Sequence, residues 1–212
     1  MDRIGTDESG KGDYYGPLVV AAVYVGKGDD RKLRNMGVRD GKKLRDDRVL
    51  SLERKIKDGF EHDVVRISPG KYNALYDKLG NLNVMLAWAH ARAIENLLPR
   101  VICDMVVSDQ FGDERFLEER LMDEGRKVRL VQRPRAESDL AVAAASILAR
   151  AAYLRFLKGM RMKYGVIFPK GAVEVYEAGK TFIELYGLAR LGEVAKLHFK
   201  TTEKIKENLK QL

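Results

Sequence analysis

Hydrophobic residues of this chain occur in two patterns, short β-branched runs and longer segments with helical spacing. Short apolar runs predict strands at residues 3–7, 17–25, 62–68, 101–108 and 127–132. Apolar residues repeated every three or four positions predict helices at residues 44–58, 82–98, 113–124 and 138–164. Strands that alternate with helices predict an α/β layer fold with a partly parallel sheet.

The connections add a hairpin and a helical tail to this prediction. The Gly-rich segment 8–16 lies between the first two predicted strands, so these strands are expected to pair as a hairpin. From about residue 169 the pattern predicts further helices, separated by Gly171, Gly179 and Gly187. No repeat or Pro-rich linker divides the chain. We therefore predict one domain over residues 1–212, with 169–212 as a helical C-terminal extension.

Composition narrows the class of protein. Lys and Arg number 39 against 31 Asp and Glu, a net charge of +8, which favours a polyanionic partner without proving one. The single Cys103 excludes an internal disulfide or a thiolate metal cage, and its apolar run predicts a buried thiol. The sequence has no run of about 18 apolar residues, so no membrane-spanning helix is predicted. The acidic N-terminus does not fit a signal peptide. A cytoplasmic protein is expected.

Four acidic residues follow predicted strands. Asp7 and Glu8 follow the first strand, Asp109 follows the fourth and Glu137 follows the fifth. Ligand sites of open α/β sheets lie at strand ends, so these carboxylates are predicted to converge. Clustered carboxylates repel one another, and hard divalent cations such as Mg²⁺ or Mn²⁺ remove that cost. Two ions about 3.5–4 Å apart would clamp a phosphate without any Ser, His or Cys nucleophile.

The spacing of these acids leaves some alternatives open. Neighbours on a regular strand point to opposite faces, so Asp7 and Glu8 share a site only if the strand ends or bulges there. Asp109 is favoured over Asp104 because Asp104 falls inside the apolar run. Glu137 competes with Asp139 and Glu119, and spacing alone does not decide among them.

Two glycine and lysine segments are candidate phosphate contacts. Gly10, Lys11 and Gly12 lack the spacing of a P-loop, but their backbone amides suit a nucleic-acid phosphate. Lys42 and Lys43 lie at a predicted loop-to-helix junction, where a solvated charge run is the alternative reading.

Three motifs together resemble the type 2 ribonuclease H family. They are IGTDESGKGDYYGPLVVAAV (4–23), VRDGKKL (38–44), with Gly41 where that family has serine, and AVAAASILAR (141–150). Other stretches resemble ribonuclease HIII more than ribonuclease HII, among them NLNVMLAWAHARAI (81–94), FPKGA (168–172) and VAKLHFKTTEKI (194–205). The resemblance covers nearly the whole chain, and the motifs come in the family order.

The resemblance implies a ribonuclease H-like fold, with a five-stranded mixed sheet flanked by helices. It also implies an endoribonuclease that cuts the RNA strand of RNA–DNA hybrids with two Mg²⁺ or Mn²⁺ ions, leaving 5′-phosphate and 3′-hydroxyl ends. The implied catalytic and metal-binding residues are Asp7, Glu8, Asp109 and Glu137. The implied substrate-binding residues are Gly10, Lys11, Gly12, Lys42, Lys43 and Ser146. A monomer that does not bind membranes is expected.

Two other functions stay open. Ribonuclease HIII carries an additional N-terminal substrate-binding domain, which is expected to be absent here because the acidic pair already stands at Asp7. Cleavage at single ribonucleotides in duplex DNA, as in ribonuclease HII, is therefore an alternative. Tyr164, Tyr176 and Tyr186 do not lie in a convincing motif of the ribonuclease HII type. A non-catalytic hybrid-binding module is the other alternative, although clustered acids facing phosphates would not help binding alone.

Overall fold

The computed structural model describes residues 1–39 and 44–209. Its sheet has five strands in the order β3-β2-β1-β4-β5. The strands are β1 (Arg3–Ser9), β2 (Leu18–Val25), β3 (His62–Ile67), β4 (Met105–Asp109) and β5 (Arg129–Arg133). β1 pairs antiparallel with β2 and parallel with β4, and β4 pairs parallel with β5. The predicted mixed sheet and the predicted hairpin are both confirmed.

Helices follow most of the strands. In the described chain they are α1 (Asp30–Met36), α2 (Asp46–Gly59), α3 (Pro69–Leu79), α4 (Leu82–Leu97), α5 (Arg115–Glu118), α6 (Leu140–Tyr164), α7 (Tyr176–Tyr186) and α8 (Lys200–Leu209). The predictions for α2, α4 and α6 are confirmed to within a few residues. The short helices α1 and α3 were not predicted.

Three predictions were wrong in detail. The fourth strand begins at Met105 rather than at residue 101, and Ile102 is 90% exposed. The helix predicted for 113–124 is only one turn long, and in the segment after it the carboxylate of Glu95 accepts hydrogen bonds from the backbone N–H groups of Met122 and Gly125 at 2.7 and 2.8 Å. Gly179 does not separate two helices but lies inside α7, where it is buried.

The chain divides into two compact units. Unit 1 comprises residues 1–9, 19–65 and 81–152, and unit 2 comprises residues 10–18, 66–80 and 153–212. The C-terminal helices α7 and α8 therefore belong to a unit that also contains α3 and the segment after β1. A single catalytic domain over residues 1–212 stays a prediction.

Alternating side chains of β1 meet different helices of unit 1. Thr6 hydrogen-bonds His90 of α4, with 3.0 Å between Oγ1 and Nδ1. Gly5 faces α6 so closely that a Cβ at this position would lie 2.2 Å from the carbonyl carbon of Ala141 and from the backbone nitrogen of Val142. Strand geometry therefore assigns odd-numbered residues of β1 to the α6 face and even-numbered residues to the α4 face.

Helix α6 is the longest described helix. By length and composition alone it would suffice to cross a membrane. However, 67% of its apolar window is buried inside the protein, and residues 141–145 are fully buried. Close packing of small residues against a sheet explains its Ala-rich sequence, as in a core helix.

Unit 2 contains a fully buried lysine, Lys196. Its Nζ donates a hydrogen bond to the backbone carbonyl of Asp13 at 2.7 Å and lies 5.5 Å from the centre of the Tyr72 ring. Burial lowers the pKa of Lys196 to about 7, and the negative charge of Asp13 only partly offsets this effect. An ammonium group is costly in such surroundings even when one carbonyl oxygen binds it.

The stability contributed by Lys196 is therefore expected to depend on pH. Between about pH 7 and the ordinary lysine value of 10.5, the unfolded chain holds a proton that the folded chain lacks, so folding is favoured as pH rises. Relative to Lys196→Met, the free energy of unfolding of the wild-type protein should rise by up to about 1.4 kcal/mol per pH unit in this window. Urea unfolding at pH 7, 8, 9 and 10 measures this difference. The exposed Lys158→Met is the control, and an equal pH dependence in both variants would contradict the prediction.

Candidate active site

Asp7 and Asp109 lie side by side on neighbouring strands. β1 and β4 are parallel, and Thr6 is opposite Ser108, so the next residues along, Asp7 and Asp109, are adjacent on the same face. Asp109 ends β4, and its Oδ1 accepts a hydrogen bond from the backbone N–H of Ala136 at 3.1 Å. The structure places these two acids next to each other, as predicted, but Asp7 lies within β1, two residues before its end, and does not follow the strand.

The surroundings of Asp7 raise its pKa. Its side chain is buried, and burial together with the negative charges of Glu8 and Asp109 raises its pKa to about 8. Hydrogen bonds from the Ser146 side chain and from the backbone N–H of Glu8 act in the opposite direction. A carboxylate in such surroundings is stabilised by a nearby cation, which makes this the point of the cluster most suited to a positive ligand.

Glu8 faces the other side of the sheet. The pairing of β1 with β2 runs without interruption through Asp7, Glu8 and Ser9, so the strand neither ends nor bulges at this pair. Glu8 Oε2 lies 3.3 Å from Nε2 of His90, which is fully buried on α4. Continuous backbone pairing with β2 keeps the strand regular, and the two acids diverge as strand geometry requires.

Glu137 follows β5 in the 3₁₀ turn Ala136–Ser138. The turn begins after Arg135, whose φ of 56° is in the left-handed region. Such a backbone conformation in a residue other than glycine costs about 1 kcal/mol or more and is often found at functional sites. The backbone N–H of Ala136 donates a hydrogen bond to Asp109. Glu137 therefore directly follows a residue that contacts the acidic cluster.

The structure favours Glu137 over Asp139 and Glu119 as the fourth acidic residue of the site. Asp139 accepts hydrogen bonds from Nε of Arg3 at 2.8 Å, and Oδ1 of Asp139 also accepts one from the backbone N–H of Ala141. Arg3 stands at the start of β1, away from the end that carries Asp7. Asp139 thus stabilises the beginning of α6, Glu119 is exposed beyond the short helix α5, and Glu137 is the favoured candidate.

The donor set fits a hard divalent cation, although its arrangement is not complete. Asp7 and Asp109 supply carboxylate oxygens, the ligands that Mg²⁺ and Mn²⁺ prefer. Across residues 1–39 and 44–209, however, no three His, Cys, Asp or Glu side chains come together as a ready metal site. Glu8 is one reason why three such side chains do not meet, because its carboxylate points towards His90 on the face of the sheet opposite Asp7.

The glycine turn after β1 is described within unit 2. Gly10 has a φ of +89°, and a Cβ there would lie 2.1 Å from the carbonyl oxygen of Pro17, so glycine is required. Gly12 has no atom within 4 Å of a Cβ position, which leaves open space at the tip of the turn. Asp13 anchors the turn, because its Oδ1 accepts a hydrogen bond from the backbone N–H of Gly171 at 2.6 Å.

Of the other predicted substrate-binding residues, the structure describes Ser146 but not the two lysines. Ser146 is buried on α6, and its hydroxyl is engaged with the carboxylate of Asp7. Lys42 and Lys43 lie outside the described residues.

His90 is a residue of this site that the sequence reasoning missed. Its Nδ1 hydrogen-bonds Thr6, its Nε2 lies 3.3 Å from Oε2 of Glu8, and its ring stacks on Phe111, with ring centres 4.8 Å apart. The available signal was a single polar ring on the buried face of the strongly apolar helix α4. Such a residue can support the orientation of a neighbouring carboxylate.

Comparisons with known proteins agree with this fold. A family model described as ribonuclease HII matches residues 4–202. The chain is 43% identical over 204 residues to ribonuclease HIII of Protochlamydia amoebophila, with 96% of this chain and 68% of that protein covered. It is 44% identical over 207 residues to ribonuclease HIII of Chlamydia pneumoniae, with 96% of this chain and 70% of that protein covered.

Solved structures show the same likeness. The crystal structure of Bst-RNase HIII in complex with Mn²⁺ has a TM-score of 0.93 and 33% identity, and covers 100% of this chain and 71% of its own. Ribonuclease H2 from Pyrococcus horikoshii OT3 has a TM-score of 0.84 at 23% identity, with 100% of both chains covered, and this likeness concerns the fold. The expected ribonuclease H-like fold is confirmed. The chain belongs to the ribonuclease HII family, among relatives named ribonuclease HIII, and it is a ribonuclease H.

Proposed function

We propose that this chain hydrolyses the RNA strand of RNA–DNA hybrids and leaves 5′-phosphate and 3′-hydroxyl ends. The observation that carries the proposal is the pair Asp7 and Asp109, held next to each other on parallel strands with Asp7 buried among negative charges. Carboxylates in this arrangement suit the binding of divalent cations at a phosphate. The relative solved with Mn²⁺ supports a metal-dependent activity.

Each residue of the site has a distinct part in this proposal. Asp7 and Asp109 would hold two Mg²⁺ or Mn²⁺ ions, with Glu137 as a further carboxylate ligand. Glu8, which faces His90 on the other side of the sheet, would join this set only through a change in the backbone at the end of β1. When bound, the ions would supply an activated water and stabilise the leaving oxygen. Ser146 orients the Asp7 carboxylate, the N–H of Ala136 orients Asp109, and His90 lies against Glu8.

Substrate recognition is assigned to the turn after β1. Gly10 fixes the left-handed corner, and the open space at Gly12 lets a phosphate approach backbone N–H groups closely. Contacts to the 2′-hydroxyl would distinguish RNA from DNA, because this group is the difference between the two sugars. The net charge of +8 favours binding that depends on phosphates and therefore weakens with salt.

A cleavage panel tests the proposal. The substrates are a uniform RNA–DNA hybrid, a DNA duplex with one ribonucleotide and a double-stranded RNA, each with Mg²⁺ and with Mn²⁺. We expect cleavage of the uniform hybrid by the wild-type protein, at least about tenfold faster than cleavage of the other two duplexes, because the single-ribonucleotide duplex offers only one 2′-hydroxyl and double-stranded RNA has no DNA strand. Product ends are identified by sensitivity to a 5′-phosphate-dependent exonuclease. Faster cleavage of the single-ribonucleotide duplex would replace the proposal with an activity of the ribonuclease HII type.

A further inference from the structure

A cationic pocket lies in unit 1, between the end of α1 and the start of α2. Its volume is about 710 Å³. Among the described residues, the charged side chains that line it are Arg34, Arg39, Arg45, Arg48 and Asp47. Four guanidinium groups against one carboxylate give this pocket a strong positive potential, since every arginine stays charged at neutral pH.

Local structure fixes part of this pocket. Arg48 donates a hydrogen bond from Nη2 to the backbone carbonyl of Met36 at 2.7 Å. Gly37 ends α1 with a φ of +83°, and a Cβ there would lie 2.7 Å from Nη2 of Arg48. Glycine is therefore required at this position for two reasons: it adopts the left-handed conformation, and it leaves room for the guanidinium group of Arg48. Arg45 forms an exposed ion pair with Asp47 at 3.1 Å.

The pocket is linked to the catalytic acids through α6. Ser146 hydrogen-bonds Asp7, and Arg150 lies one helical turn further along the same helix. Arg150 forms an ion pair with Asp46 at 2.6 Å, and Asp46 is the first residue of α2, between Arg45 and Asp47. One turn of helix and one ion pair thus separate the Asp7 contact from the wall of the pocket.

We propose that this arginine pocket binds a backbone phosphate of the nucleic-acid substrate at a distance from the cleaved bond. The inference rests on the function proposed above. Guanidinium groups bind phosphate oxygens through paired hydrogen bonds, and several arginines around one concave surface are the arrangement expected for such a ligand. Phosphates repeat about every 3.4 Å along each strand of a duplex, so a duplex held at Asp7 also presents phosphates further along.

The binding of a fluorescent RNA–DNA hybrid without divalent ions tests this inference. The variant is Arg34→Gln combined with Arg39→Gln, because both side chains are exposed. We expect affinity at low salt to fall on the order of tenfold. The slope of log K against log salt concentration should become shallower by about one to two. Arg54→Gln is the matched control, since Arg54 is exposed on α2 but does not line the pocket, and it should leave the slope nearly unchanged.

Cleavage kinetics separate this inference from the proposed function. With Mg²⁺ or Mn²⁺, the double variant should show a raised KM and an unchanged kcat. If the wild-type protein neither binds nor cleaves the hybrid, the proposed function fails and the inference fails with it. If the wild-type protein cleaves the hybrid while the double variant keeps the wild-type KM and salt slope, the inference alone is overturned.

A second arm distinguishes substrate phosphate from free phosphate. Thermal unfolding is followed with added inorganic phosphate, with sodium chloride at equal ionic strength as the reference. A rise in Tm that the double variant loses, combined with an unchanged salt slope for the hybrid, would overturn the inference in favour of a free-phosphate site. A shallower slope in the double variant supports the inference whether or not inorganic phosphate shifts the Tm.

Discussion

Replacing Asp7 with asparagine is expected to lower the rate of hybrid cleavage at least about a thousandfold, while hybrid affinity without divalent ions stays within about threefold. An amide retains the size of the side chain but is a much weaker ligand for a hard cation, and the loss of several kcal/mol of charge stabilisation corresponds to this factor. Affinity should persist because phosphate contacts elsewhere supply most of it. Single-turnover cleavage at saturating Mg²⁺ measures the first quantity, and fluorescence anisotropy in EDTA measures the second.

Asp104→Asn is the matched control for this experiment. Asp104 is exposed and precedes β4, whereas Asp109 ends that strand, so the control makes the same chemical change at the opposite end. It should cleave at nearly the wild-type rate. The Tm of Asp7→Asn should be no lower than that of the wild-type protein, because the amide removes repulsion with Glu8 and Asp109. Cleavage by Asp7→Asn within tenfold of the wild-type rate would contradict the assignment of this acid.

Gly5→Ala is expected to reduce the free energy of unfolding by about 3 kcal/mol or more, or to prevent folding. A methyl group at this position would lie 2.2 Å from backbone atoms of Ala141 and Val142, and the backbone of the first turn of α6, packed against the sheet, cannot move aside cheaply. Urea unfolding followed by circular dichroism measures the change. Hybrid cleavage should fall in parallel with the folded fraction, because Asp7 lies two residues further along the same strand.

Gly159→Ala gives the opposite expectation with the same chemical change. Gly159 lies inside α6, and nothing lies within 4 Å of a Cβ at this position. Alanine has the higher helix propensity, so the free energy of unfolding should rise by about 0.5–1 kcal/mol. Equal effects of the two substitutions would show that the contact of Gly5 with α6 does not limit stability.

Much of the fold could be predicted from the sequence because local patterns and packing agree there. The run PLVVAAVYV predicts β2, and Leu18–Val25 is indeed almost entirely buried. Helix α3 was missed although Pro69 marks its first turn and Gly80 its left-handed end. The segment after α5 could not be predicted, since the Glu95 carboxylate that organises it is remote in sequence.

The candidate site could be predicted only in part. Asp7 and Asp109 were identified because each stands near the end of an apolar strand, and the parallel pairing of those strands then places them together. The sequence left the relation of Asp7 to Glu8 open, and the pairing of β1 with β2, which continues through both residues, places their side chains on opposite faces. The partners of Glu8 and Asp109, namely His90 and the N–H of Ala136, come from distant segments that only tertiary structure brings near.

The close approach of Gly5 to α6 has a consequence for how the chain finds its correct alignment. A one-residue slip of β1 would exchange the sides of Asp7 and Glu8, and it would also bring Ile4 or Thr6 to the place where only a hydrogen atom fits. A shifted register of β1 is therefore excluded by steric clash with α6, whatever its effect on the acidic residues. Gly5 thus permits a single register of β1, and this register determines which face of the sheet Asp7 and Glu8 each occupy.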